Sequence, residues 1–233
     1  DKKNLITKYN EFGFRDATIL KDSVWNVDPK HVDIYVKVNE GKKYYIRNIS
    51  WVGNTVYSTD YLSRLLGMKK GDVYNQTYLS KRLSQDEDAV GNEYWNNGYL
   101  FYRLEPTEVN IVGDSIDLEM RITEGQQAHI NRVKINGNDR LYENVVRREL
   151  RTKPGDLFSK EALQRSAREL ASMGYFDPEA INPVPEPNYE DGTVDINYNL
   201  KQKSNDQVEL SLGWGQTGVI GRVGLKLTNF SMA

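Results

Sequence analysis

The side chains that most often carry catalysis or bind metals are sparse in this sequence. Its two histidines, His31 and His129, each begin a predicted strand beside a turn, and neither has a second ligand at metal spacing. A structural zinc site needs several histidine or cysteine ligands close together, and the chain has no cysteine. We therefore expect both histidines at the surface, and we predict no metal, no cofactor and no disulfide.

Two charged clusters are the other candidates for chemistry. Asp86, Glu87 and Asp88 are consecutive, so on a helix they point in different directions and predict a solvated face, not a divalent-ion site. A basic cluster comprises Arg147, Arg148, Arg151 and Lys153. It suits the dipole at the end of a predicted helix, and it also remains a candidate for docking a partner's carboxylates or acidic lipid.

No catalytic constellation emerges from the remaining polar residues. Residues 153–156 lack the Gly-Lys-Ser/Thr ending of a phosphate-binding loop, and no Ser/His/Asp set can be assembled. We therefore expect a protein that is not an enzyme.

Bulk composition narrows the class of protein further. The 233 residues suit one large domain or two to three small ones. The 31 basic and 33 acidic residues give a net charge of −2, which argues against a nucleic-acid partner. Mean hydropathy is −0.68, and no run approaches the roughly 18 apolar residues of a membrane helix. The first residues read as the middle of a helix without a signal peptide, so we expect a segment of a longer protein.

The strongest pattern in the chain is an internal repeat. Glycines recur at an offset of 84 residues, Gly53 with Gly137 and Gly71 with Gly155. The offset falls to 76 between Gly98 and Gly174. The earlier unit therefore carries an insertion, which we place near residues 85–91 as about two extra turns of its second helix.

Each repeat predicts the order strand, helix, helix, strand, strand, and hence an α+β fold class. Alternating apolar and polar residues predict the strands, and apolar residues at helical spacing, such as Leu62 and Leu66, predict the helices. Each complete unit then has a three-stranded sheet and two helices. The predicted domains are residues 1–41, the C-terminal part of such a unit, and residues 44–125 and 128–202, two complete ones. The connections at residues 41–44 and 125–128 are predicted to be short hinges.

Residues 206–233 differ in kind. Two alternating, glycine-rich runs are joined by a short turn, and the first has Val208, Leu210, Leu212 and Trp214 on one face. This pattern is typical of the first strands of an outer-membrane β-barrel, here truncated. An ordinary soluble hairpin is the alternative.

The predicted units leave open sheet edges, which are the candidate functional site. A three-stranded sheet leaves unpaired N–H and C=O groups along an edge, and an extended client can add a strand there with little demand on its sequence. The predicted edge is the first strand of each hairpin. In the first two units its residues are Ala17, Ile19, Val24, Trp25, Leu100, Tyr102, Leu104, Val109 and Ile111. In the third unit the strand follows Tyr175, and its three prolines predict an irregular strand.

The repeats resemble the POTRA domain. The residues that carry the resemblance are Glu40-Gly41, Glu124-Gly125, Gly53-Asn54, Gly137-Asn138, Gly71-Asp72, Gly155-Asp156, Gly98-Tyr99 and Gly174-Tyr175. With a glycine-rich strand pair after the last unit, the whole chain is similar to the periplasmic arm of the BamA family of outer-membrane protein assembly factors.

That resemblance implies a periplasmic scaffold at the outer membrane of a Gram-negative bacterium. Its implied partners are unfolded outer-membrane proteins, accessory lipoproteins of the assembly complex, and outer-membrane lipid through the barrel, with no nucleic acid. A translocase or secretion transporter of the same superfamily is an alternative, as is a purely structural envelope scaffold.

Overall fold

The computed structural model describes residues 2–138, 142–203, 207–215 and 218–226. The chain divides into two compact parts, residues 1–127 and 128–233. Within the described residues, no helix has the length and apolar character that crossing a membrane requires.

The first 41 residues hold one helix and one hairpin. Helix α1 (Lys2–Glu11) precedes the antiparallel strands β1 (Thr18–Asp28) and β2 (His31–Asn39). The Asp28 carboxylate accepts the backbone N–H of Lys30 at 2.7 Å and lies 2.7 Å from Nδ1 of His31. His31 is exposed and serves the turn, as its position beside Asp28 and Pro29 predicts.

The second unit has the predicted order of elements, except that its second helix is divided into two. It comprises β3 (Tyr45–Val52), α2 (Thr59–Leu66), α3 (Gln76–Ser80), α4 (Val90–Asn96), β4 (Arg103–Val112) and β5 (Ser115–Thr123). The sheet order is β3-β5-β4, with β5 parallel to β3 and antiparallel to β4. Alternate residues of β5, from Ile116 to Ile122, are buried against Leu62 and Leu66 of α2. Each such apolar side chain stabilises the fold by about 1.5–3 kcal/mol.

The insertion lies where the change of offset places it, but it does not lengthen the helix. After α3 the chain makes one wider turn over residues 81–85, and Asp86 is extended, with ψ at 154°. Residues 86–89 therefore separate α3 from α4. Glu87 and Asp88 are exposed as expected, but the expectation that Asp86, Glu87 and Asp88 lie on a helix face is wrong, because the chain leaves the helix at Asp86 and turns. Arg82 binds Asp86 at 3.3 Å and Asp88 at 2.5 Å.

The third unit repeats the architecture without the insertion. It comprises β6 (His129–Asn136), α5 (Glu143–Glu149), α6 (Lys160–Ser172), β7 (Asn182–Asn188) and β8 (Thr193–Asn199), with a short 3₁₀ turn (Pro178–Ala180) before β7. The sheet order is β6-β8-β7. Ser159 caps α6 by accepting the N–H of Ala162, as a serine directly before a helical run predicts. The expected irregularity of β7 is wrong, because all seven of its residues pair with β8 in unbroken register.

A separate hairpin follows. Strands β9 (Gln207–Gly215) and β10 (Gly218–Lys226) pair antiparallel from Gly215 opposite Gly218. The predicted hairpin is therefore present. Residues 206, 216, 217 and 227–233 of the predicted barrel segment lie outside the described residues.

A buried carboxylate at the end of the second unit links β5 to the residues ahead of α2 and to α4. Glu124, 7% exposed, follows β5 and accepts hydrogen bonds from the N–H groups of Thr55 and Val56 ahead of α2, and from the hydroxyl of Tyr94 in α4 at 2.9 Å. The hydroxyl of Tyr9 makes the matching bond to Glu40 at 3.1 Å. The Glu-Gly pairs that mark the end of each of these units therefore anchor a tyrosine of the preceding helix.

Polar contacts also tie the first 41 residues to the second unit. Arg15 lies 2.6 Å from the Glu108 carboxylate on β4, and the hydroxyl of Tyr74 donates to the same carboxylate at 2.8 Å. Burial and this bond raise the pKa of Tyr74 to about 12, so its hydroxyl stays a donor at ordinary pH. Tyr44, in the connection, donates to Asp16 at 2.8 Å. The first connection is short as predicted, but these contacts restrain it.

Glu124→Gln tests the buried carboxylate. Burial alone would raise the pKa of Glu124, but the bonds from Thr55, Val56 and Tyr94 outweigh it and lower the pKa. The carboxylate therefore stabilises the fold above the ordinary pKa of about 4.5, and this stabilisation is lost as pH falls through the lowered value. We expect Glu124→Gln to cost about 2 kcal/mol of unfolding free energy at neutral pH and to flatten the loss of stability in acid. Chemical denaturation at a series of pH values measures both.

The control is Glu105→Gln, because Glu105 is exposed on β4. It should change the unfolding free energy by less than about 0.5 kcal/mol. A Glu124→Gln variant as stable as this control would show that the carboxylate does not hold the unit together.

A double-mutant cycle of Arg15→Gln and Glu108→Gln tests the first junction. The side chains are 29% and 20% exposed, so solvent screens the pair only partly. We expect a coupling of about 1 kcal/mol in urea unfolding. The reference is the pair of Lys2 and Asp22, whose lysine side chain is 65% exposed and for which about 0.5 kcal/mol or less is expected. Equal couplings in the two cycles would contradict a restrained junction.

Candidate functional site

The first strand of each complete unit is partly covered along its outer edge. Gly71 donates to the carbonyl of Ile46 at 2.8 Å, Ile46 donates to that of Asp72 at 2.8 Å, and Tyr74 donates to that of Tyr44 at 2.9 Å. The loop between the helices therefore behaves as a short extra strand beside β3.

The third unit uses the same device. Gly155 donates to the carbonyl of Ile130 at 2.7 Å, Ile130 donates to that of Asp156 at 2.8 Å, and Phe158 donates to that of Ala128 at 2.9 Å. The repeated Gly-Asp pairs are thus the residues that cover the edges of β3 and β6. Their spacing marks the repeat in the sequence, but their role depends on where the loop lies in the folded unit.

Strand β4, the second strand of the unit and the first of its hairpin, leaves a free edge. In an antiparallel pair, residues alternate between those that bond the partner strand and those whose N–H and C=O point away from it. Pro106 faces Met120 and has no N–H to give to β5, so it belongs to the outward set. The outward set also includes Leu104, which faces Ile122. It includes Ile111 as well, because the register shift before it brings it opposite Ile116, which lies on the same alternate positions of β5 as Met120 and Ile122.

The outward set on β4 therefore offers backbone donors at Leu104, Glu108 and Ile111, and Pro106 interrupts it. Val109 is 47% and Ile111 42% exposed. These are the features that strand addition requires: unpaired backbone groups beside accessible apolar side chains.

Two of the predicted edge residues do not lie on β4. The backbone folds into successive turns after α4, with the N–H of Leu100 bonded to the carbonyl of Gly98 at 2.8 Å and that of Tyr102 to Tyr99 at 3.1 Å. The strand begins only at Arg103. Tyr102 is 9% exposed and stacks on Tyr94 with ring centroids 4.3 Å apart. It is a core residue, so placing it on the edge is wrong, as is placing Leu100 there.

The edge predicted in the first 41 residues fits better. Ile19, Val24 and Trp25 lie on β1, and Val24 and Trp25 are 63% and 49% exposed. Ala17 precedes the strand and is buried, which corrects its assignment to the edge. Because β1 pairs only with β2 within the described residues, its outer backbone groups have no strand partner there.

The basic cluster lies around the end of α5 and is exposed. Arg147 binds Glu143 and donates to the carbonyl of Val133, while Arg148 lies 3.6 Å from Glu149 and Arg151 lies 3.4 Å from Glu169. Each arginine therefore has a glutamate of the same unit beside it. The role of the cluster, including Lys153, in docking a partner stays a prediction. Among the described residues no group of three or more acidic, histidine or cysteine side chains is placed to hold a metal ion.

Comparison with known proteins identifies the repeats. The POTRA family model, described as surface antigen variable number repeat, matches residues 44–125 and 128–203. A putative outer membrane protein assembly factor of Treponema pallidum is 27% identical over 97% of this chain, and BamA of Neisseria meningitidis is 29% identical over 98% of it. The chain covers 27% and 29% of these two relatives.

Solved structures show the same fold. The POTRA3-5 structure of Haemophilus influenzae BamA superposes with a TM-score of 0.69 at 20% identity, covering 85% of this chain and 78% of that one. BamA from Haemophilus ducreyi lacking POTRA domains 1-3 gives a TM-score of 0.60 at 22% identity, covering 78% and 34%. The two family matches together span more than half of the chain. The chain therefore belongs to the POTRA family, and its tandem repeats are like those of the POTRA arm of the BamA-type assembly factors.

Proposed function

We propose that this chain is the periplasmic scaffold of an outer-membrane protein assembly machine. Its free sheet edges take up unfolded β-barrel clients by strand addition, and it performs no catalysis. The observation that carries the proposal is the outward row of backbone groups on β4, beside exposed apolar side chains. The relatives, described as outer membrane protein assembly factors, support this choice of client.

Strand addition suits such clients physically. Barrel strands alternate in polarity and differ in sequence, so a receptor that reads side chains would serve few of them. Backbone hydrogen bonds give affinity that does not depend on sequence. An edge interrupted by Pro106 and a register shift is also poor at pairing with a second copy of itself.

The hairpin β9–β10 is proposed to begin the membrane barrel of the longer protein. Each of its strands has nine residues, which matches the roughly 9–11 residues with which a tilted strand crosses a bilayer. The chain then belongs at the outer membrane of a Gram-negative bacterium, with the POTRA units in the periplasm. Accessory lipoproteins are the proposed partners of the basic cluster, where a partner's carboxylate would compete with Glu143, Glu149 and Glu169.

Ile111→Pro tests strand addition on β4. The substitution removes an outward N–H and leaves the bonds between β4 and β5 in place. The probe is a ten-residue peptide of alternating valine and threonine, captured by a photoreactive benzoylphenylalanine in place of Glu105. We expect Ile111→Pro to lower labelling of the peptide about threefold or more. Pro106→Val, which adds an outward N–H, should raise it.

The matched control is Ile111→Ala, which loses the side chain and keeps the N–H. It should label the peptide more strongly than Ile111→Pro, and circular dichroism confirms that each variant is folded. Equal labelling by folded Ile111→Pro and Ile111→Ala would show that the backbone of this edge does not bind the peptide.

A further inference from the structure

The three prolines of β7 occupy every second position of the strand, and each lies opposite a residue of β8. Pro183 faces Tyr198, Pro185 faces Ile196 and Pro187 faces Val194. The sequence predicts from them an irregular strand, yet β7 pairs with β8 without a break. The N–H groups that the prolines lack must therefore be missing from the outer edge of β7, which faces away from β8.

The direction in which the backbone groups of these prolines point follows from the chemistry of proline. Proline has no N–H, so these three positions cannot be the ones that exchange two bonds with β8. They are the alternate positions, whose backbone groups point away from the partner strand. The bonds to β8 are made by the residues between and beside them, which are Asn182, Val184, Glu186 and Asn188. The outer edge of β7 therefore presents carbonyl oxygens at all three proline positions and not one N–H.

We infer that the second-strand edge of the third unit, β7, is closed to strand addition, and that client capture on second-strand edges is confined to β1 and β4. This inference rests on the proposed function. An incoming strand both donates to and accepts from the edge that it joins. Against β7 its own carbonyls would find no donor, so half of its hydrogen bonds to the edge would be missing. Buried carbonyls without a donor oppose binding further.

The three second-strand edges form a graded series. Strand β1 contains no proline. Strand β4 contains one proline, Pro106, which lies opposite Met120. Met120 corresponds in the repeat to Tyr198, which lies opposite Pro183, so Pro106 and Pro183 occupy equivalent positions. Strand β7 carries a proline at every outward position from 183 to 187. The other outer strand of the third unit, β6, is covered by residues 155–158 over its first half. The third unit thus has no second-strand edge with donors.

The experiment compares two positions of one photoreactive residue in the full chain. Benzoylphenylalanine replaces Glu105 on β4 or Glu186 on β7, two exposed positions that both bond the central strand. The probe is the same ten-residue valine-threonine peptide. We expect labelling from position 105 and at least about tenfold less from position 186. The combined variant Pro183→Val, Pro185→Val and Pro187→Val should gain labelling at position 186, with labelling at position 105 unchanged.

The outcomes distinguish a failure of the inference about β7 from a failure of the proposed function. Equal labelling from positions 105 and 186 in the unaltered chain overturns the inference and leaves the proposed function standing. A triple variant that circular dichroism shows to be folded, yet that gains no labelling, also overturns it. If the triple variant is unfolded, Pro185→Val alone is used, and a partial gain is expected. The absence of labelling at both positions overturns the proposed function, which the edge of β4 carries, and the inference with it.

Discussion

The need to pair every backbone N–H and C=O determines which surfaces of these units are available. In both complete units the central strand, β5 or β8, is bonded on both sides. The first strand, β3 or β6, is bonded on its outer side by the loop that carries the Gly-Asp pair. That cover reaches only the beginning of the first strand. Among the described residues the second strand is the one whose outer row has no such cover, and proline decides how many donors that row has. Recognition of an extended client follows from this accounting more than from any particular side chain.

The repeat, the order of the elements and several boundaries could be predicted from sequence, because alternation and helical spacing are local signals. The sequence predicts a strand over Tyr45 to Val52 and a helix cap at Ser159, and the structure agrees with both. The start of β4 could not be predicted, because Tyr102 has the apolar, alternating character of a strand residue and is instead drawn into the core by Tyr94. The prediction of a longer helix at the insertion was wrong for a similar reason, because Arg82 also binds Asp88, six residues away, which a continuous helix would not place beside it.

The sequence predicts which strand forms the open edge, but not which side of that strand its prolines affect. A three-stranded sheet implies an open edge, and the hairpin's first strand is where the structure leaves one. Whether Pro183, Pro185 and Pro187 disturb the sheet or only its outer face depends on the register of β7, which no local signal supplies. Contacts such as Arg15 with Glu108 join residues 93 positions apart and leave no mark on periodicity. The same Glu108 carries an outward N–H of β4, so the restraint of the junction and the proposed client edge meet in one residue.

The most direct test is amide hydrogen exchange by NMR, with and without a valine-threonine peptide. Strand addition on β4 predicts slower exchange at Leu104, Glu108 and Ile111, whose N–H groups point outward. The amides of Arg103, Glu105 and Thr107, which already donate to β5, should change little. Protection that falls on the helices or on the uncovered half of β3, with the outward amides of β4 unaffected, would contradict the account.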